Sequence, residues 1–254
     1  MTPTGARTVG RSTFRENLES LRRAQKPSRG TAAYSRLVNR PLGRRVAAAA
    51  AVGGMTPNTA TVISALLSGS ALLVLALVRP EPWVGVVVAL LLAAGYVMDS
   101  VDGQLARLTG AGSRSGEWFD HTVDCFKTTG LHLCVLVSFY RFPPVDGAWV
   151  LLVPLLFTLV QTVTYFELIL MPYLRRREDG PPASADTRQE HPLRTWLVLP
   201  TDYGALLWCF ALLGWPSLFV AAYSLLALVN AVALVWGLRK WWRELRALDL
   251  ATTV

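Results

Sequence analysis

Residues 83–98 read WVGVVVALLLAAGYVM, and residues 99–124 continue DSVDGQLARLTGAGSRSGEWFDHTVD. An apolar run therefore ends on Asp99 and Asp102, and Asp120 and Asp124 stand just before the next apolar run. Comparable runs recur over residues 61–78, 131–140, 150–174, 206–215 and 216–238. Each approaches the roughly 20 residues that cross a bilayer, or reaches them if its polar flank is helical too. The expectation is all-α: an integral membrane bundle of six transmembrane helices, preceded by cytoplasmic amphipathic and juxtamembrane helices.

Charge sets the expected orientation. The chain of 254 residues carries 25 Lys and Arg, and 22 of them fall in segments 1–45, 99–115, 175–195 and 239–254. Only Arg79 and Arg141 lie in the opposite loops, and Lys127 lies inside the third helix. Positive residues stay in the cytoplasm, so both termini and the aspartates are expected there. The net charge of +8 then reflects topology and attraction to anionic headgroups. It gives no support to nucleic acid as a partner, because the basic residues follow helix ends. No secretory signal is expected, since residues 1–45 hold no apolar run. Three cysteines make no disulfide framework.

Two parts are expected, an N-terminal cytoplasmic segment (1–52) and a transmembrane domain (53–254). In the first, STFRENLESLRR (12–23) has Thr13 and Glu16 at capping-box spacing, with Phe14, Leu18 and Leu21 on one face. A second helix is expected from about Tyr34 to Ala51, after a linker. Pro57 suits the first turn of the next helix, with Asn58, Thr59 or Thr61 as its cap. Residues 175–192, RRREDGPPASADTRQEHP, read as a loop. The end, LRKWWRELRALDL, reads as a basic helix anchored by Trp241 and Trp242.

The aspartates follow D-x2-D-G-x2-A-R-x8-G-x3-D-x3-D. Spacings of three and four put Asp99, Asp102 and Ala106 on one helical stripe, and Gly116, Asp120 and Asp124 on the next. LTGAGSRS lets the chain reverse, so the stripes face each other as an αα-hairpin. Each aspartate costs about 2.5–3.5 kcal/mol at mid-bilayer, so four cost about 10–14 kcal/mol. That rivals the whole net stability of a domain, about 5–15 kcal/mol. They require shallow placement, water or cations. Hard carboxylate ligands suit Mg2+ or Mn2+, and four can share more than one ion. Gly103 and Gly116 leave room for a phosphorylated ligand, and Arg107 offers a planar fork of donors for phosphate.

This pattern resembles the signature of the CDP-alcohol phosphotransferases at every fixed position: Asp99, Asp102, Gly103, Ala106, Arg107, Gly116, Asp120 and Asp124. TPNTAT at residues 56–61 is similar to the P-N-x-x-T of the same family. The resemblance implies a membrane enzyme that moves a substituted phosphate from a CDP-alcohol to an acceptor hydroxyl, releasing CMP, in phospholipid synthesis. By the same resemblance, Asp99, Asp102, Asp120 and Asp124 would hold two Mg2+ or Mn2+ ions, with Asp124 doubling as general base. Asn58, Thr61, Gly103, Arg107 and Ser113 would line the nucleotide site, and the enzyme would be a homodimer.

The substrates stay open at this point. CDP-diacylglycerol with a small polyol is one reading. The FDH-x2-D run around His121 resembles the choline and ethanolamine phosphotransferase branch, in which a small CDP-alcohol meets a lipid hydroxyl such as diacylglycerol. Lys127, Gln161, Tyr165, Glu167 and Asp202 are the candidate acceptor pocket. With Lys127 as the nearby cation and Glu167 and Asp202 adding negative charge, a neutral hydroxyl fits better than a phosphate monoester. A divalent-cation transporter, or an inactive membrane scaffold, is the rival class. A transporter should carry its carboxylates near the bilayer midplane on broken helices.

Overall fold

The structure, a computed structural model, describes residues 13–24, 33–175 and 201–252. Among these it is all α, with no strand. The helices are α1 (Phe14–Arg23), α2 (Arg40–Val52), α3 (Pro57–Leu77), α4 (Pro82–Thr109), α5 (Arg114–Arg141), α6 (Leu152–Arg175), α7 (Tyr203–Cys209) and α8 (Pro216–Thr252). A π-helical turn over Ser35–Asn39 leads into α2, and short 3-10 turns precede α6 and follow α7. The expected loop at 176–192 and linker at 25–32 lie outside the described residues.

Local chemistry explains the ends. Thr13 accepts the Glu16 N–H while the Glu16 carboxylate accepts the Thr13 N–H at 2.8 Å, closing the expected capping box. That bond, with help from the Thr13 hydroxyl, holds the Glu16 carboxyl below its ordinary pKa. The α3 cap is Thr56, whose hydroxyl accepts the Thr59 N–H at 3.2 Å, and not Asn58, Thr59 or Thr61. The reason is local: Pro57 forces the residue before it into extended backbone, which is the cap conformation. α4 runs unbroken through Asp99 and Asp102 and stops at Gly110, in the left-handed region at φ 67°. Ser113 then caps α5 by accepting the Gly116 N–H at 3.0 Å.

Among the described residues, four helical segments are long and apolar enough to cross a membrane: Pro57–Leu77, Pro82–Thr109, Ala148–Arg175 and Pro216–Leu250. The sequence expectation was six. α5 has the length, about 42 Å for 28 residues, but carries Asp120, Asp124 and Lys127. The remaining apolar helical stretch, Tyr203–Leu212, is short. The basic end expected as a separate anchor is the continuation of α8, about 55 Å long over its 37 residues.

α3 packs lengthwise on α4 and also against α5, while α4 and α5 approach each other closely at few points. The expected hairpin is thus splayed over α3, which leaves a cleft between its two aspartate-bearing ends. A buried stripe on α3, Thr61, Ser64 and Ser68, makes the close fit to α4 possible. Ser64 donates to the Gly95 carbonyl at 2.9 Å, and a Cβ on Gly95 would fall 2.3 Å from Ser68 Oγ. Toward the other end, the core closes with Phe139, Phe157, Phe210, Phe219 and Tyr223 around buried His132.

The N-terminal helices form a strap across the aspartate end. Leu21, Ala47 and Ala48 share a core with Ala60, Val101 and Leu105 of α3 and α4. Asn39 donates to the Tyr96 carbonyl at 3.0 Å, and the Tyr34 N–H donates to Asp202 Oδ2 at 2.7 Å. Gly204 lies so close beneath that an added Cβ would come within 2.2–2.5 Å of Tyr34 Cγ, Cβ and Cδ1. Gly204→Ala is therefore expected to lift Tyr34 from Asp202 and to cost about 1–3 kcal/mol as an overpacked site. A lowered thermal unfolding midpoint in lipid nanodiscs checks it, and an unchanged midpoint would show the contact to be slack.

Candidate active site

Helix length sets the depth of the carboxylates. Asp99 lies 17 residues beyond the start of α4, about 26 Å along its axis, and Asp124 lies 17 residues before the end of α5, again about 26 Å. Asp102 and Asp120 come out at about 30 and 32 Å by the same measure. Because α4 and α5 run in opposite directions, Asp99 meets Asp124 and Asp102 meets Asp120, each pair close enough to interact directly. A hydrocarbon layer about 30 Å thick that began at these helix ends would stop near both pairs.

The deeper pair encloses a cation. Lys127, one turn along α5 from Asp124, is ion-paired to Asp99 and reaches Asp124 Oδ1 at 2.6 Å. Its ammonium also donates to Ser64 Oγ at 3.2 Å, so α3, α4 and α5 meet at one nitrogen. The shallower pair is held differently. The Thr61 hydroxyl lies 2.9 Å from Asp102 Oδ2 and 3.2 Å from the Pro57 carbonyl, and the Gly103 N–H donates to Asp102 Oδ1. Ligand atoms of Asp120, His121 and Asp124 lie within 4.8 Å of one another, a group able to hold a metal ion. Carboxylate oxygens with at most one imidazole are the donor set of a hard divalent cation.

A cavity of about 570 Å³ opens beside the shallower pair, within the usual range for small-molecule sites. Asn58, Thr61, Gly103, Arg107 and Ser113 all line it, together with Asp102 and Asp120. Gly116 has a steric reason: a Cβ there would lie 3.1 Å from both Asn58 Oδ1 and Ser113 Oγ, where the first turns of α3 and α5 meet. A second cavity of about 560 Å³, lined by Trp118, Cys125, Phe126, Leu133, Tyr165 and Ile169 among others, runs between α5 and α6. His121 lines both, and so stands where the polar cavity meets the apolar one.

The acceptor candidates do not gather in one place. Tyr165 donates to the His121 carbonyl at 2.6 Å and lines the apolar cavity. Gln161 lies one turn away on the same face of α6, but Glu167, two residues past Tyr165, points about 200° round the helix. Asp202 caps α7: its Oδ1 accepts the Gly204 N–H at 3.0 Å and its Oδ2 accepts the strap at Tyr34. Lys127 belongs to the carboxylates. In the basic run at residues 175–177, Arg175 pairs with Glu244 at 2.7 Å, and Arg176 and Arg177 lie outside the described residues. Ser64 was not among the sequence candidates, although its place on the Thr61–Ser64–Ser68 stripe pointed toward α4.

Comparison with known proteins gives the same family as the signature. Over 69 residues the chain is 38% identical to mouse ethanolaminephosphotransferase 1, a match that covers 27% of this chain and 17% of that protein. Among solved structures, the phosphatidylinositol phosphate synthase of Mycobacterium tuberculosis in complex with manganese and citrate has a TM-score of 0.48 at 21% identity, covering 78% of this chain and 87% of that one. The same synthase with CDP-DAG bound also has a TM-score of 0.48 at 21% identity, over 81% and 94% of the two chains. The family model for CDP-alcohol phosphatidyltransferase matches residues 54–238, most of the chain and all four aspartates, and the protein belongs to that family.

Proposed function

We propose that the protein transfers a substituted phosphate from a CDP-alcohol to the hydroxyl of an acceptor, releasing CMP. The observation that carries this reading is the convergence of Asn58, Thr61, Gly103, Arg107 and Ser113 with Asp102 and Asp120 on one cavity at the membrane's edge. We infer six crossings, with α5 and the segment containing α7 as the more polar or shorter two. The termini and site face the cytoplasm, and residues 1–52 strap the catalytic domain of residues 53–254. The homodimer rests on family resemblance.

In this mechanism Arg107 grips the pyrophosphate through its planar fork, while Asn58, Thr61 and Ser113 hold the nucleotide and Gly103 leaves room for it. Two Mg2+ or Mn2+ ions, held by Asp99, Asp102, Asp120 and Asp124, would supply charge neutralisation on both sides of an in-line displacement. Asp124 takes the proton of the acceptor hydroxyl. That oxygen bonds to the phosphorus distal to cytidine, and the bond from that phosphorus to the CMP oxygen breaks. A carboxylate is a weak base, so holding the hydroxyl in line must supply much of the rate. Loss of turnover on chelation, restored by Mg2+ or Mn2+, is the expected result of a CMP-release assay. Asp124→Asn should lower turnover by about 10²–10⁴ while largely sparing donor binding.

The donor we favour is CDP-diacylglycerol. The second reading, a CDP-ethanolamine-like donor and a lipid hydroxyl such as diacylglycerol, gains from the apolar cavity that reaches the site at His121 and from the match to mouse ethanolaminephosphotransferase 1. A transporter is disfavoured by the carboxylates' depth at one end of unbroken helices. Both transferase readings share a neutral acceptor. Lys127 already shares its charge with Asp99 and Asp124, so it offers little to offset a second phosphate. Polyols or diacylglycerol should therefore outcompete inositol phosphate and glycerol phosphate in a mixed-acceptor assay, and the reverse ranking would overturn this.

Lys127 also makes a prediction that needs no substrate. Its side chain is 14% exposed, and removing one partner of such a pair costs about 3–5 kcal/mol. Lys127→Met should unfold well below the wild type in chelator, and added Mn2+ should narrow the gap by supplying the missing charge. Equal midpoints in chelator would deny the ion pair its structural role.

A further inference from the structure

The end of the bundle remote from the aspartates carries a site that the reaction does not use. Three connections meet there, between α3 and α4, between α5 and α6, and between α7 and α8. A cavity of about 380 Å³ lies among them, lined by Arg79 of the first, Arg141 at the end of α5, Leu213 of the third and Pro216 at the start of α8. These arginines are the two basic residues of that end. They lie 62 positions apart in the chain and still line one cavity. No carboxylate lines it, and among the described residues neither arginine belongs to an ion pair. Phe139 and Phe219 form an apolar wall.

Depth identifies the surroundings. Trp83, Trp149 and Trp215, one beside each connection, are 63%, 58% and 52% exposed. Indole rings ringed around one end of an apolar bundle mark the level of lipid headgroups. Glu81 and Asp146 stand on the same connections but do not line the cavity, and Arg141 lies over the Phe142 ring. The two guanidinium groups that do line it, over an apolar wall, therefore complement a phosphate that carries hydrocarbon.

We propose that this cavity binds the phosphate of an anionic phospholipid in the leaflet opposite the active site. Arg79 and Arg141 hold the phosphate, and the accessible apolar lining, Pro80, Phe142, Pro143, Pro144 and Pro216, receives the glycerol and the first acyl carbons above buried Phe139 and Phe219. The two arginines favour a net anionic lipid, since a zwitterionic headgroup brings its own cation into the same space. The wall is structural as well: Phe139 and Phe219 meet edge to face at 6.0 Å and reach Tyr223 at 6.4 and 5.5 Å. An occupied site therefore braces the core on which the catalytic helices stand. The proposal rests on the bundle crossing a membrane and is independent of the reaction assigned above.

The test uses the full chain in phosphatidylcholine nanodiscs with and without phosphatidylglycerol. Lipid retained after detergent release is counted by native mass spectrometry, and thermal midpoints are read in parallel. Each arginine is worth a factor of about five in attraction to an anionic surface, so the Arg79→Gln/Arg141→Gln double variant should retain phosphatidylglycerol about 25-fold less strongly. It should also lose the rise in midpoint that phosphatidylglycerol gives the wild type. Arg79→Lys/Arg141→Lys should keep part of both effects, which separates lost binding from a damaged fold. Arg243→Gln/Arg246→Gln, at the other end of α8, should lose less of both effects than Arg79→Gln/Arg141→Gln, and an equal loss would assign the lipid to the basic end of α8 and overturn the proposal. Equal retention by the double Gln variant and the wild type would overturn the proposal. So would equal stabilisation by inorganic phosphate in pure phosphatidylcholine, which would assign the arginines to a free anion.

Discussion

The ammonium of Lys127, held between Asp99 and Asp124, is the contact on which the architecture of the site turns. Carboxylates at the edge of hydrocarbon need a counter-charge or water, and unpaired they would cost a large part of the bundle's stability. Lys127 meets that need for the deeper pair. Reaching Ser64 as well, it fixes α3 as the wedge between the two aspartate helices. The cleft, the open cavity beside Asp102 and the splay of α4 from α5 all follow from that wedge. The strap helices complete a small core with the ends of α3 and α4.

Much of this was legible in the sequence because it is local. Helical spacing alone puts Asp99 with Asp102 and Asp120 with Asp124, and Pro57 and the LTGAGSRS reversal mark breaks between helices that the structure keeps. The cap of α3 was misread by two or more positions because the hydroxyl before a proline was passed over for the polar residues after it. What spacing cannot express is pairing across the bundle. Lys127 read as a cation free for an acceptor, yet its partners lie on its own helix and on α4. Asp202 read as pocket lining, yet it is taken by a backbone N–H 168 positions away. The count of crossings was blurred for a physical reason too. α5 has the length of a span, yet Asp120, Asp124 and Lys127 take away the apolar signature of one.

The two cavities at the aspartate end divide the chemistry by polarity. One is walled by Arg107, small residues and carboxylates; the other is walled by aromatic and aliphatic side chains of α5 and α6. Their meeting at His121 gives a polar group and an apolar chain a common point of contact beside Asp120 and Asp124. An enzyme that joins a water-soluble and a lipid partner needs such a junction whichever partner brings the nucleotide. Its two walls account for the difficulty of naming the acceptor from the motif alone, since the motif describes only the polar one.

The bond from Tyr34 to Asp202 has a consequence for how the protein is made. The ribosome releases the strap first and the residue that fastens it last but for α7 and α8. Until Asp202 emerges, the Tyr34 N–H has no carboxylate to hold it, although α1 and α2 can already seat on α3 and α4. The strap is therefore docked early and fastened late, only after α6 has been made. A chain interrupted before residue 202 would hold all four aspartates and Lys127, and still lack the fastening of its strap.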